Sequence, residues 1–407
     1  MNYSLKPLQE QVIVITGASS GIGLATALAA AKKGATVVLA ARNREALLEI
    51  EQEIRSQGGK AFHCVADVGR KEEVQWIAQV ALQECGGFDT WINDAGVSIY
   101  GRLDEVSDED NRRLFDTNFW GVVYGSQIAA QHLRSKGGAI INVGSEVSDI
   151  AIPLQGMYSA SKHAVKAYTD ALRIELMEDK APVSVTLIKP AGIDTPYPEH
   201  AKNYTDKALT LPAPVYTPEE VAAAILHAAV HPHRDIMVGG GAKAMSALNK
   251  RFPGAMDWIS SKIMSKEQLL DEPPVNKAGS LHQPSTAGNV RGNHKGYVMK
   301  TSLYTRAVMH PVATSAILAA AGATVYALFN RKALKNLSFP KGNTPKKEDS
   351  YASTDTTITQ TTLLESERYP NYDRDLGDDT YTGQDTHLGT GRSSGLVGDG
   401  DAEDTRW

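Results

Sequence analysis

Val12-Ile13-Val14-Ile15 is an unbroken run of apolar, β-branched residues. Such a run with no polar alternation predicts a short strand buried on both faces. A glycine-rich turn follows, then an alanine-rich stretch at helical spacing over 21–33. Thr36-Val37-Val38-Leu39-Ala40 predicts a second strand, and Leu47, Leu48, Ile50 and Ile54 then recur with a helical period. The alternation continues. Strand patterns fall at 61–65, 90–93, 140–143, 183–188 and 235–238, and helical patterns at 74–82, around Tyr158 and at 218–229. Strands that alternate with helices in this way predict a parallel sheet covered on both faces. The expected fold is therefore α/β, a doubly wound parallel sheet of the Rossmann type over residues 1–240.

Past residue 241 the pattern changes. Residues 241–270 predict a helical extension, with Phe252, Met256, Trp258, Ile259 and Ile263 as its apolar face. Residues 271–300 are rich in Pro, Gly, Asn and His and predict a linker. Residues 301–336 predict an apolar helix, because 307–329 is free of Asp, Glu, Lys and Arg for 23 residues. That length suffices to span a bilayer, although its alanines weaken the signal. More basic residues follow it than precede it, which would place the tail in the cytosol, where the N-terminal domain is also expected. A shallow or peripheral helix satisfies both as well as a span does. Residues 337–407 predict a disordered acidic tail. From Glu348 onward there are 14 acidic and 4 basic residues, and too few aliphatic side chains to offset the ordering entropy.

Composition narrows the classes. The net charge of −5 argues against nucleic-acid binding. The two cysteines, Cys64 and Cys85, make neither a disulfide framework nor a metal-binding spacing, and no metal is expected. Residues 1–6 lack the basic-then-apolar pattern of a secretory leader, so the N-terminal domain is expected in the cytoplasm.

The chemistry concentrates in three places. Thr16-Gly17-Ala18-Ser19-Ser20-Gly21-Ile22-Gly23 lies between the first strand and the first helix. Glycines there let the backbone approach a pyrophosphate, and the helix N-terminus favours its charge. The second strand ends in Ala40-Ala41-Arg42 with no acid. An acid would bind a ribose 2′-hydroxyl, whereas the Arg42 fork suits a 2′-phosphate, with Ser19 adding a hydroxyl; NADP (NADPH) is thus favoured over NAD. Third, Tyr158 and Lys162 stand four residues apart on a predicted helix, and Ser145 ends an apolar run. Residues i and i+4 share a helix face. A cation ~4 Å from a phenol, at an effective dielectric of ~20, is worth about 4 kcal/mol, enough to lower its pKa by up to about three before desolvation subtracts its share. Tyr158 would then exchange a proton with a substrate oxygen, while Ser145 hydrogen-bonds the same oxygen.

These residues resemble the short-chain dehydrogenase/reductase family of the compact Tyr-x-x-x-Lys type, over roughly residues 8–240. The resemblance implies the catalytic set Asn118, Ser145, Tyr158 and Lys162, with Ser145 and Tyr158 contacting substrate. It implies cofactor contacts from Gly17, Ser19, Ser20, Gly21, Ile22, Gly23, Arg42, Asp67, Val68, Asn93, Ala95, Gly96, Tyr158, Lys162, Pro190, Gly192, Ile193 and Thr195. In the family pattern Asp67-Val68 meets the adenine, Asn118 supports a proton relay, Lys162 also binds the nicotinamide ribose, and 190–195 lies against the nicotinamide. Two positions depart from that pattern: Asp94 stands where the family has a second asparagine, and Ala191 where it has glycine. The spacing of tyrosine and lysine separates this chain from enoyl-reducing relatives.

The expected activity is NADP-dependent interconversion of a carbonyl and a secondary alcohol. The segment 197–216, with Tyr197, Tyr204, Leu209, Leu211, Val215 and Tyr216, is the expected lid and suggests an apolar or amphipathic substrate; Ile150, Ile152 and Leu154 would add to it. The alternatives are 3-oxoacyl-thioester reduction and a cofactor-binding scaffold without catalysis. Expected partners are the small-molecule substrate, further copies of the chain in a homodimer or homotetramer, and a membrane through 307–329.

Overall fold

Each apolar run becomes a strand of one sheet. The computed structural model describes residues 4–285 and 288–329; the expected acidic tail over 337–407 lies outside the described residues. The strands are β1 (Val12–Thr16), β2 (Thr36–Ala41), β3 (Lys60–Val65), β4 (Thr90–Asn93), β5 (Gly138–Val143), β6 (Val183–Pro190) and β7 (Asp235–Val238). They pair in the order β7-β6-β5-β4-β1-β2-β3, every neighbour parallel. β1 is flanked by β4 and β2, so the strand order reverses beside it. Ligand crevices in such sheets open at the strand C-termini at that reversal.

Helices α1 (Gly21–Lys32), α2 (Arg44–Ser56), α3 (Lys71–Cys85), α4 (Asp108–Phe115), α5 (Gly121–Leu133), α6 (Gly156–Glu178) and α7 (Pro218–Ala228) cover both faces. Successive strand residues point to opposite faces. Ile13 and Ile15 accordingly join the core with α1 and α7, whereas Val14, Trp91 and Ile140 join the core with α3 and α5. Ala25, Ala27 and Ala30 are buried on α1, and their small side chains let it lie close to α7. Asn43 caps α2 by accepting from the Ala46 N–H at 3.0 Å.

The extension departs from its pattern in two ways. The 271–300 segment does not behave as a linker. Leu281 is fully buried, Ser280 nearly so, and Val298–Met299 pairs in parallel with Val215–Tyr216. Its hydrogen-bond partners lie far away in the chain, so it carries no local period. The 23-residue apolar run is also broken. It forms α10 (Leu303–Met309) and α11 (Pro311–Phe329), bent by 113°, after the helices α8 (Gly240–Arg251) and α9 (Pro253–Ile259). Pro311 excludes the helical conformation at the residue before it, and His310 sits at φ −125°, ψ 63°. Among the described residues no single helix is long and apolar enough to cross a membrane, whereas the bent pair α10 and α11 taken together has the length and composition. Val312, Ile317, Leu318, Tyr326 and Phe329 on α11 are exposed.

Candidate active site

The glycine loop lies where β1 hands over to α1. Gly17 has φ +74°, and a Cβ there would stand 2.8 Å from the Ala95 backbone. Only glycine combines that conformation with that approach. The loop borders a cavity of about 400 Å³ that runs from Ser19, Arg42 and Asp67 at one end to Ser145, Tyr158 and Tyr197 at the other. The glycine turn and the α1 N-terminus fit a dinucleotide; the Gly21 N–H there donates to the Asn289 carbonyl at 2.9 Å, a bond that a diphosphate would take over.

At the Arg42 end, the Asp67 carboxylate accepts from Arg113 Nη2 at 2.6 Å and from the Gly69 N–H at 3.0 Å. Burial pushes its pKa up, but these bonds and the charges of Arg113 and Arg42 outweigh it and hold the carboxyl below its usual range. Arg42 is lowered from the usual guanidinium value by burial and by Arg113.

At the other end α6 starts at Gly156, which places Tyr158 in its first turn and Lys162 one turn on. Both face the cavity, with Lys162 Nζ 5.8 Å from the Tyr158 ring centre. The shared face is as expected; the acidity is not. Burial pushes Tyr158 up to about 12. Tyr197 and Ser145, within hydrogen-bonding reach of the phenol, lower it only in part, and the Glu146 and Asp94 carboxylates raise it. Lys162 donates to the Val143 carbonyl at 2.9 Å, and burial brings it down to about 8 against the pull of Asp94. Asp94 accepts from the Gly23 N–H, and burial raises it to about 7 although Lys162 opposes that. Asp94, the departure from the family pattern, therefore adds negative charge beside the lysine.

Most of the expected site residues are brought together. Gly17, Ser19, Ser20, Gly21, Ile22, Arg42, Asp67, Val68, Ala95, Gly96, Ser145, Tyr158, Lys162, Pro190, Gly192, Ile193 and Thr195 all line the cavity. Three do not. Gly23 packs inside α1, where a Cβ would meet the Gly17 carbonyl at 2.3 Å. Asn93 is buried beneath the site, bonded to Trp91, Ser126 and Asn142. Asn118 holds both the N–H and the carbonyl of Val97, at 2.8 and 2.9 Å, and reaches Ser161. Of the expected lid, Tyr197, Leu211, Pro212, Ala213 and Pro214 reach the cavity; Ile150 and Ile152 also line it. Tyr216 belongs to the core, and Tyr204 turns to Asp110 at 2.6 Å.

Other lining residues carried no sequence signal. Gln155 is buried and accepts from the Tyr197 hydroxyl at 2.6 Å; its amide donates to Gln268 at 2.7 Å. Tyr100 stacks edge-on with Tyr197. Ser280, Pro284 and Ser285 come from the supposed linker. Only Gln155 had a positional hint, since it directly precedes the catalytic helix.

The profile of the short chain dehydrogenase family matches residues 11–206. The uncharacterized oxidoreductase YxnA of Bacillus subtilis (strain 168) is 46% identical over 319 residues, covering 77% of this chain and 90% of the relative. A short-chain dehydrogenase/reductase from Burkholderia phymatum, solved in complex with NAD, superposes with a TM-score of 0.56 at 26% identity, over 62% of this chain and 96% of its own. An alcohol dehydrogenase from the archaeon Thermococcus sibiricus, solved with 5-hydroxy-NADP, gives a TM-score of 0.50 at 28% identity, over 56% and 95%. The chain belongs to the short-chain dehydrogenase/reductase family and is an oxidoreductase built on a Rossmann-type sheet.

Proposed function

We propose that the chain is an NADP-dependent oxidoreductase that interconverts a carbonyl and a secondary alcohol on an apolar or amphipathic substrate. The observation that carries this reading is the meeting of the Tyr158 and Ser145 hydroxyls at one end of a cavity whose other end holds Arg42. Gly17 to Ile22 would hold the diphosphate, Asp67 and Val68 the adenine, Arg42 the 2′-phosphate, and Pro190 to Thr195 the nicotinamide side. Bound there, a nicotinamide nucleotide supplies or takes up the hydride. Ser145 donates a hydrogen bond to the substrate oxygen. Tyr158 gives that oxygen its proton in reduction and removes it in oxidation. With its pKa near 12 in the free protein, the phenol is neutral at pH 7 and carries the proton that reduction needs, as a weaker acid than a free tyrosine.

Ile150, Ile152, Leu211, Met245 and Met264 line the substrate end, which supports an apolar substrate. The proposal extends to self-association or a peripheral membrane position, either of which would cover the exposed side chains of α11. The test is turnover of a carbonyl panel, including a 3-oxoacyl thioester, followed by NADPH absorbance. Apolar ketones are expected to turn over best, and Tyr158→Phe to lose about 10²- to 10⁴-fold in kcat. Turnover that survives the substitution removes Tyr158 from the chemistry. A strong preference for small sugars, or for the thioester, replaces the substrate reading.

A further inference from the structure

Residues 277–285 lie outside the matched family segment and beyond the last strand of the seven-stranded sheet, yet they reach the adenosine-side end of the cavity. Leu281 is fully buried among Val97, Ile99 and Leu114, with the Tyr158 and Tyr204 rings beside them. Its carbonyl accepts from Arg42 Nη1 at 3.1 Å and from Arg113 Nε at 3.2 Å. The Ser280 carbonyl accepts from Arg42 Nη2. Arg113 is the same residue that holds Asp67. The segment has a seat of its own. The Lys277 carbonyl accepts from the Asn203 N–H at 2.9 Å, the Ser280 N–H donates to the His200 carbonyl at 2.8 Å, and His282 Nε2 meets Asp110 Oδ1 at 2.6 Å. Gly279 makes the bend at φ +58°, where a Cβ would stand 2.4 Å from the Ala201 carbonyl oxygen. Ser280, Pro284 and Ser285 line the same cavity as Ser19, Arg42 and Asp67.

We infer that residues 277–285 are a specificity-determining part of the nucleotide site, which hold the Arg42 guanidinium in place for a 2′-phosphate. This rests on reading the cavity as a dinucleotide site. Two neutral carbonyls orient the arginine fork without cancelling its charge, as a carboxylate would. The rotamer freedom of a long side chain is then lost on folding and not on binding, which favours the bound state. Because the contacts come from the backbone, they depend on how the segment is seated: on Gly279 at its bend, Leu281 in its apolar socket and His282 on Asp110. The match to the B. subtilis protein covers 77% of this chain, so wherever it starts it runs through this segment.

The experiment measures NADPH and NADH dissociation constants by fluorescence for the full-length protein and for Arg42→Ala, Gly279→Val, Leu281→Ala and His282→Ala, with near-UV circular dichroism to verify folding. Gly279→Val is expected to weaken NADPH about 10-fold, the scale of one charge-assisted bond, and NADH much less. Leu281→Ala and His282→Ala should move the ratio the same way by less. If the Gly279 variant does not fold, those two decide. A preference for NADPH that falls with Arg42→Ala but survives every folded segment variant overturns the role of the segment alone. A wild type without that preference overturns the cofactor reading and this inference together.

Discussion

Tyr158 and Lys162 share a helix face, but burial sets their titration more than their proximity does. Asp94 is the neighbour common to both. Above its own pKa of about 7 it is an anion, which stabilises the Lys162 ammonium and opposes the Tyr158 phenolate. Asp94→Asn removes that charge, so both pKa values are expected to fall. Oxidation of the alcohol needs the phenolate, and its rate should rise with pH. The alkaline rise of kcat/KM for oxidation is therefore expected at lower pH in the variant than in the wild type. A profile that does not move, or moves upward, would show that the Asp94 charge does not act on the pair.

Between elements, Asn118 is the tie. It sits in the π-helical turn Asp116–Trp120 that joins α4 to α5, and its amide satisfies both polar groups of the Val97 backbone, just past β4. It also donates to Ser161 on α6 at 3.2 Å. One buried side chain thus fixes the loop after β4 against the helix that carries Tyr158. Asn118→Ala leaves these groups unpaired away from water, at a cost of about 1–3 kcal/mol. Urea unfolding should show a lower midpoint with an unchanged slope; an unchanged midpoint would mean that water replaces the amide without loss. Sequence matching alone placed Asn118 among the catalytic groups, because a motif names a residue but not the atoms it faces.

At the scale of the whole molecule, four histidines gather where α7 ends and α11 begins. His227 Nε2 lies 3.0 Å from His233 Nε2, and the His231 and His310 rings stand 4.6 and 5.5 Å from the His227 ring. Burial, then the neighbouring imidazoles, bring His227 down to about 4, and His233 is lowered as well. An unfolded histidine titrates near 6.5. As pH falls from about 6.5 toward 4, the unfolded chain takes up a proton that folded His227 refuses, so the folded state loses stability across that window. Above it the contribution is complete. The melting temperature should fall more steeply over that range in the wild type than in His227→Gln. Parallel curves would exclude the cluster as a source of acid sensitivity.

The parallel sheet, its seven strands and the cradle loop follow from the sequence alone, because a doubly buried strand and a glycine turn carry their signals within a few consecutive residues. So does the common face of Tyr158 and Lys162, which helical geometry dictates. Three features were decided only by the tertiary structure. The phenol's high pKa depends on which carboxylates and apolar groups surround it. The angle before α11 is a tertiary quantity: Pro311 marks a helix boundary in the sequence, but not the 113° between the two helices. The seat of residues 277–285 joins Arg42 to Leu281, 239 positions away, and backbone carbonyls carry no sequence signature. Contacts of that range are made by folding, and no local pattern records them.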